Sequence, residues 1–337
     1  MTVRPRFLAV CLASVLADCS GGGAPTSVSS PATPDAASSG ASAAPAPTKR
    51  AAPPTEAPRV PVAATFDGIQ AMSLSLGDDA APIDITYAFG SIWIANHHSD
   101  TVVRLEPDTM EVQATIPAGS GPGWFVVTDD TVWVSDQNGR GMTRIDPTTN
   151  VAIEHIGQGP PCGRGLAALG YVWQPACDSQ VIMRIDPRDN TSFDVSMSNA
   201  NSIAMAGTAL IAGGDGGLAR VDPISGSTTP MRGPKGMILG YAARALWIST
   251  ESEVLLVRPG DGKVLTRIPA PSAGAMFFAG NHAWVAGQSP KLIEIDVSSR
   301  SILRSITFDP WPASVVEVAG HVWVTNFERS SVVRLDL

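Results

Sequence analysis

Six tryptophans recur along the chain at near-equal steps: Trp93, Trp133, Trp173, Trp247, Trp284 and Trp323, separated by 40, 40, 74, 37 and 39 residues. The long step is two steps of 37, with Leu210 at its midpoint. Seven registers imply seven copies of one supersecondary unit, and periods of roughly 20–50 residues belong to solenoids, propellers or arrays. Within a copy, short β-branched and apolar runs are separated by turn residues, as in Trp124-Phe-Val-Val-Thr128, Thr131-Val-Trp-Val-Ser-Asp136, Met142-Thr-Arg-Ile-Asp146 and Val151-Ala-Ile-Glu-His-Ile156. That is a strand-and-turn pattern with four strands per copy, A to D from the inside outward. The C–D connections read Asp146-Pro-Thr-Thr-Asn150, Asp186-Pro-Arg-Asp-Asn190 and Asp222-Pro-Ile-Ser-Gly226. In such turns Asp accepts backbone N–H groups, Pro presets φ, and Asn or Gly takes the left-handed position.

The chain stops on Arg334-Leu-Asp-Leu337, a C strand with no D strand after it. The segment Ile69-Gln-Ala-Met-Ser-Leu-Ser-Leu76 reads as a stray D strand ahead of the first copy. Placing it on the outer edge of the last blade closes a ring and leaves no open array. The expected fold is all-β: a seven-bladed β-propeller of four-stranded antiparallel blades over residues 62–337, closed by one strand from the start and three from the end.

Residues 1–19 read as an export signal. Arg4 and Arg6 precede an apolar run from Phe7 to Leu16, too short to span a bilayer. Leu16-Ala-Asp-Cys-Ser20 resembles a bacterial lipoprotein signal, which implies lipidation of Cys19, although Asp18 stands where a small residue is usual. Ordinary cleavage after Val15-Leu-Ala17 is the alternative, and it gives a secreted protein. Residues 20–61 are almost all Ala, Pro, Ser, Gly and Thr. They lack the apolar side chains that offset ordering entropy, so a disordered tether is predicted. Residues 1–60 hold five basic and three acidic side chains of the chain's 23 and 31, leaving the remainder at a net charge of −10. That sign repels phosphate backbones and argues against nucleic-acid binding.

The unit from Ser91 to Val112, with Trp323-Val-Thr-Asn326, resembles the YVTN family of propeller repeats. The repeats are also similar to those of the streptogramin (virginiamycin B) lyase group, with a Trp on strand B and a Pro shortly before strand A. The first resemblance implies a cell-envelope binding protein. The second implies a histidine base with a metal held by carboxylates. Of the five histidines, only His97 and His98 fall in a B–C loop, and no Glu-x-His pair accompanies them. No nucleophile elbow, phosphate loop or HExxH motif is present. The chain is therefore expected to use no cofactor or metal and to bind rather than catalyse.

In propellers the D–A and B–C loops share the face around the channel mouth, by analogy with the fold. Counting nine residues back from each register position gives Asp84, Trp124, Arg164, Asn201, Ile238, Ala275 and Ser314. This set varies from blade to blade, unlike a purely structural position. Of eight tryptophans, only Trp124 and Trp311 break the repeat spacing, and both fall in D–A loops. The candidate ligand-binding residues are therefore Asp84, Trp124, Arg164, Asn201, Trp311 and Ser314, joined by His98 and Asp136 from B–C loops. Cys162 and Cys177 lie symmetrically about the Leu169-Gly170 turn, so antiparallel pairing brings them within disulfide reach. The expected protein is a monomer in the periplasm or on the outer membrane, or else secreted. Its partner is an envelope protein or small ligand, and it touches a membrane only through a lipid at Cys19. An acid–base site built from Asp84, Arg164 and His98, or a structural role through the blade sides, are the alternatives.

Overall fold

A computed structural model describes residues 59–157 and 159–337. The signal and most of the tether, including Cys19, lie outside the described residues. Seven antiparallel sheets follow one another around a ring, each running from an inner to an outer strand. Blade 2 is representative: Pro122–Val127, Val132–Asp136, Met142–Asp146 and Val151–Ile156. The predicted turn chemistry forms at the C–D connections. Asp146, Asp186 and Asp222 each accept the N–H of the residue two positions on, at 2.7, 2.9 and 2.9 Å.

Closure occurs where the stray strand predicts it. Ile69–Ser75 pairs antiparallel with the C-terminal strand Ser331–Asp336, with Ala71 opposite Leu335 and Ser75 opposite Ser331. One strand more than the repeat arithmetic expects then follows: Val62–Phe66 folds back on Ile69–Ser75 through Asp67 and Gly68, both at positive φ. The last blade thus has five strands. The Phe66 ring stacks on Phe308 at 4.6 Å, and Asp67 accepts the Thr307 N–H at 2.6 Å, tying the added hairpin to blade 6.

The six repeat tryptophans are 0–1% exposed and pack in clusters that join consecutive blades. Each is a large apolar face whose indole N–H still needs an acceptor. Trp93, Trp173 and Trp247 find it in the carbonyls of Ala88, Ala168 and Ala242, five residues back. Trp284 instead donates to Glu317 of blade 7 at 2.7 Å. In blade 4 the tryptophan position belongs to Ile211, which faces Arg220 as Trp93 faces Arg104. The spacing midpoint, Leu210, is therefore one residue out of register.

A second repeated device lies in the Arg-x-Asp/Glu stretches of strand C. Arg104 lies over the Trp93 ring at 4.9 Å and reaches the next blade's C–D turn, bonding the Asn150 side chain at 2.9 Å. Arg144 covers Trp133 at 5.4 Å and bonds the Pro187 carbonyl at 3.0 Å. Arg184 sits between Tyr171 and Phe193 and bonds the Pro223 carbonyl at 2.7 Å. Arg334 covers Trp323 at 5.9 Å and bonds the Pro107 carbonyl at 3.1 Å. Each clip combines a cation–π contact with a charge-assisted hydrogen bond across a blade junction.

Cys162 and Cys177 form a disulfide with a Cα separation of 5.7 Å. They stand just outside the strands, Cys162 ahead of Leu166–Ala168 and Cys177 opening a short 3-10 turn. For a loop of about 15 residues such a bridge contributes about 3 kcal/mol in the chain-entropy account.

Candidate functional site

Inner strands bulge against strand B near their mouth-facing start: Pro82/Asp84 in blade 1, Pro122/Phe125 in blade 2, and Pro312/Ser314 in blade 7. The same irregularity falls at Ala200/Ser202 and Ala273/Ala275. A bulge re-aims the side chain that follows it. It places Asp84, Ala275 and Ser314 at one equivalent position, and in blade 4 that position is held by Ser202 rather than Asn201. The one-residue shift at Ile211 is the cause. Ser202 accepts the Ile238 N–H at 2.8 Å, while Asn201 accepts only the Ser202 hydroxyl at 3.2 Å.

Asp84, Arg164 and Ser314 converge from blades 1, 3 and 7. The Arg164 Nη2 donates to Asp84 Oδ1 at 2.6 Å and to the Ser314 hydroxyl at 2.9 Å. That hydroxyl donates to Asp84 Oδ1 at 2.6 Å, and the Phe125 N–H reaches Oδ2 at 3.1 Å. The Asp84 side chain is 1% exposed and that of Arg164 25%. Both carboxylate oxygens are thus occupied from within the protein. The group is a strap across part of the mouth, and its hydrogen-bonding capacity at Asp84 is spent.

Trp124 stands beside this strap, partly exposed, with its backbone N–H on the Ser135 hydroxyl at 2.8 Å. Asp136 does not join the mouth. It is buried at the end of strand B, where Oδ2 accepts the Thr143 hydroxyl at 2.8 Å and faces His155 Nδ1 at 2.7 Å. Burial pushes its carboxyl up to about 6, against the lowering effect of Thr143 and His155, and Asp100 adds to the rise. A raised folded-state value means the stabilising form is the protonated one. That contribution is full below about pH 4 and lost as pH rises through about 6. Asp136→Asn should flatten the pH dependence of unfolding free energy across that window, by on the order of 3 kcal/mol. Denaturant titrations of both chains at pH 4, 5, 6 and 7 measure it, and parallel curves would contradict the assignment.

The remaining candidates meet at the junction of blades 7 and 1. Trp311 stacks on Phe327 at 5.5 Å and 16°, and Phe327 meets the edge of His98 at 5.5 Å and 78°. The Trp311 N–H donates to Glu328 at 3.0 Å, and His98 Nδ1 bonds Asp79 at 2.8 Å. Arg329 pairs with Asp309 at 2.8 Å. Burial, with the neighbouring His98, lowers the His97 imidazole. His98 therefore belongs to an aromatic shelf and not to an acid–base group with Asp84 and Arg164. Phe327 is the one Phe, Tyr or Trp in any B–C loop of the sequence, a signal that the tryptophan spacing alone does not pick up.

Among the described residues no three His, Cys, Asp or Glu side chains are placed to hold a metal ion. A groove of about 500 Å³ between blades 3 and 4 is lined by uncharged residues, including Ser179, Gln180, Ser196 and Thr228. A second, of about 420 Å³, adjoins the shelf at Asp309, Asn326 and Arg329.

No protein-family model matches the chain, and no curated protein sequence does. Solved structures match its fold. Hydrazine synthase of Kuenenia stuttgartiensis aligns with 77% of this chain and 96% of its own, at 13% identity and a TM-score of 0.64. The WD40 propeller domain of Doa1 aligns with 78% and 95%, at 10% identity and 0.63. U3-55K aligns with 79% and 98%, at 9% identity and 0.63. At such identities the likeness establishes the propeller alone.

Proposed function

We propose that this chain is an exported cell-envelope propeller that binds a protein or small ligand on its mouth face, without catalysis. The observation that carries the reading is the Trp311–Phe327–His98 shelf. It sets two part-exposed aromatic rings and an imidazole on loops, outside the hydrophobic clusters that join the blades. Export is supported by the leader's composition and by the Cys162–Cys177 disulfide, since such bonds persist in oxidising compartments. In this reading Cys19 carries a lipid, residues 20–61 act as a spacer, and the propeller is a monomer that avoids nucleic acid. Against the lyase-like alternative, Asp84 and Arg164 bond each other, and His98 bonds Asp79 rather than either of them.

A structural role in an envelope assembly has one observation in its favour. Phe193 is 48% exposed and Ile224 88%, on adjoining blades around Arg184. Exposed apolar side chains of this kind mark contact surfaces when they are contiguous. Affinity capture from the native envelope, with wild type and with Trp124→Ala/Trp311→Ala, separates the two. Loss of a captured species in the variant is expected. Identical captured sets would move the interaction away from the mouth face.

A further inference from the structure

The shelf also has a sign. Four loops meet there: residues 77–81, 97–100, 308–311 and 327–330, held together by the Ala81 N–H on the Ser330 hydroxyl and by His98 on Asp79. They carry Asp78, Asp79, Asp100, Asp309 and Glu328 against one arginine of their own, Arg329, with the Arg59 guanidinium beside Gly77 and on the Leu76 carbonyl. Arg329 is taken by Asp309. Asp100 accepts the Gly121 N–H. Among the described residues Asp79, 83% exposed, bonds the His98 imidazole, and Glu328 accepts the indole N–H of Trp311.

A carboxylate on the indole N–H makes the π face more negative, and that face is where a cation binds. The shelf thus offers stacked rings with a carboxylate at each end, Glu328 at the indole and Asp79 at the imidazole. The net charge of −10 beyond residue 60 adds a long-range attraction of the same sign.

We infer that the Trp311–Phe327–His98 shelf is a cation-recognition site, and that its ligand is an arginine or lysine side chain presented by a basic peptide segment. The guanidinium plane stacks on the part-exposed Trp311 ring with its N–H groups on Glu328, and Asp79, at the far end of the row, takes a second cation of the same segment. Arginine is favoured over lysine because a planar, weakly hydrated cation both stacks and forms paired hydrogen bonds. The inference rests on the mouth-face reading and narrows it to one class of ligand.

The test titrates the full-length chain with tetra-arginine, tetra-lysine, spermidine and tetra-glutamate, following tryptophan fluorescence and calorimetry. Saturable binding is expected for tetra-arginine, with weaker tetra-lysine binding and none of tetra-glutamate. Spermidine distinguishes a free polyamine from a peptide: if it binds more tightly than tetra-arginine, the peptide assignment is overturned. Trp311→Ala should weaken tetra-arginine binding about tenfold. Glu328→Gln should weaken it several-fold and reduce its salt dependence. Glu111→Gln, on an exposed C–D turn of blade 1, should leave it unchanged. An equal loss in Glu111→Gln and Glu328→Gln would reduce the effect to net charge and reject the site. Tetra-arginine binding that survives Trp311→Ala also rejects it, provided the variant melts like wild type. If no cationic probe binds while the envelope capture still depends on Trp124 and Trp311, the cation class fails and the mouth-face function stands.

Discussion

A chain lacking residues 62–76 is expected not to reach a stable fold. The deletion removes both N-terminal strands from the last blade and leaves Ser331–Asp336 as a raw edge. It also strips Leu74 and Leu76, 0% and 2% exposed, from the cluster they share with Val316, Trp323 and Val332. Each buried leucine is worth about 2–5 kcal/mol on truncation to alanine. Phe66 leaves Phe308, and the ladder of backbone hydrogen bonds across Ile69–Ser75 is lost as well. A total on the order of 10 kcal/mol rivals the whole stability of a typical domain. Circular dichroism and denaturant unfolding of the truncated chain measure this, and melting at the wild-type temperature would remove the strands from any role in closure. Leu74→Ala alone gives a graded version, with a cost of about 2–5 kcal/mol.

Arg164→Met is expected to be the most damaging single change on the mouth face. It strands the Asp84 carboxylate in a site where only the Ser314 hydroxyl and the Phe125 N–H remain to hold it. Breaking a buried pair from one side costs about 3–5 kcal/mol, because the surviving charge is left uncompensated. The companion change, Asp84→Leu/Arg164→Met, removes both charges and should recover most of that loss. A double-mutant cycle in urea reads the coupling directly. Additive losses would mean that the strap contributes no coupling and that the two residues act separately.

Much of the architecture was legible because it is periodic. Tryptophans on strand B set the blade count, the unpaired final C strand required a partner, and the cysteines bracketed a hairpin. Where periodicity lapses, spacing alone misplaces the register. Blade 4 has no tryptophan, so midpoint arithmetic chose Leu210 over Ile211 and carried the error to Asn201. Val62–Phe66 adjoins a Pro- and Ala-rich stretch whose composition masked it, although Asp67-Gly68 is a hairpin turn signal. Asp84 and Arg164 stand at the same count back from the strand-B tryptophans of blades 1 and 3, which puts both at inner-strand starts. Their bond spans 80 residues of sequence and depends on ring curvature, which no local pattern encodes. Asp136 looked like a loop residue, and only its position opposite Thr143 and His155 reveals a buried carboxyl.

The arginine clips are unevenly dealt. The junctions 7–1, 1–2, 2–3 and 3–4 each have one, because Arg334, Arg104, Arg144 and Arg184 reach the following blade. In blades 5 and 6 the same position is Leu256 and Glu294, and in blade 4 Arg220 points to solvent. The remaining junctions are tied by other means: the Ile238 N–H on the Ser202 hydroxyl, Arg300 on the Thr266 hydroxyl, and His282 with Trp284 on Glu317. The circle is therefore fastened by two kinds of joint, and the loops bearing Trp311, Phe327 and His98 are mounted where the arginine kind closes the ring, at the 7–1 junction.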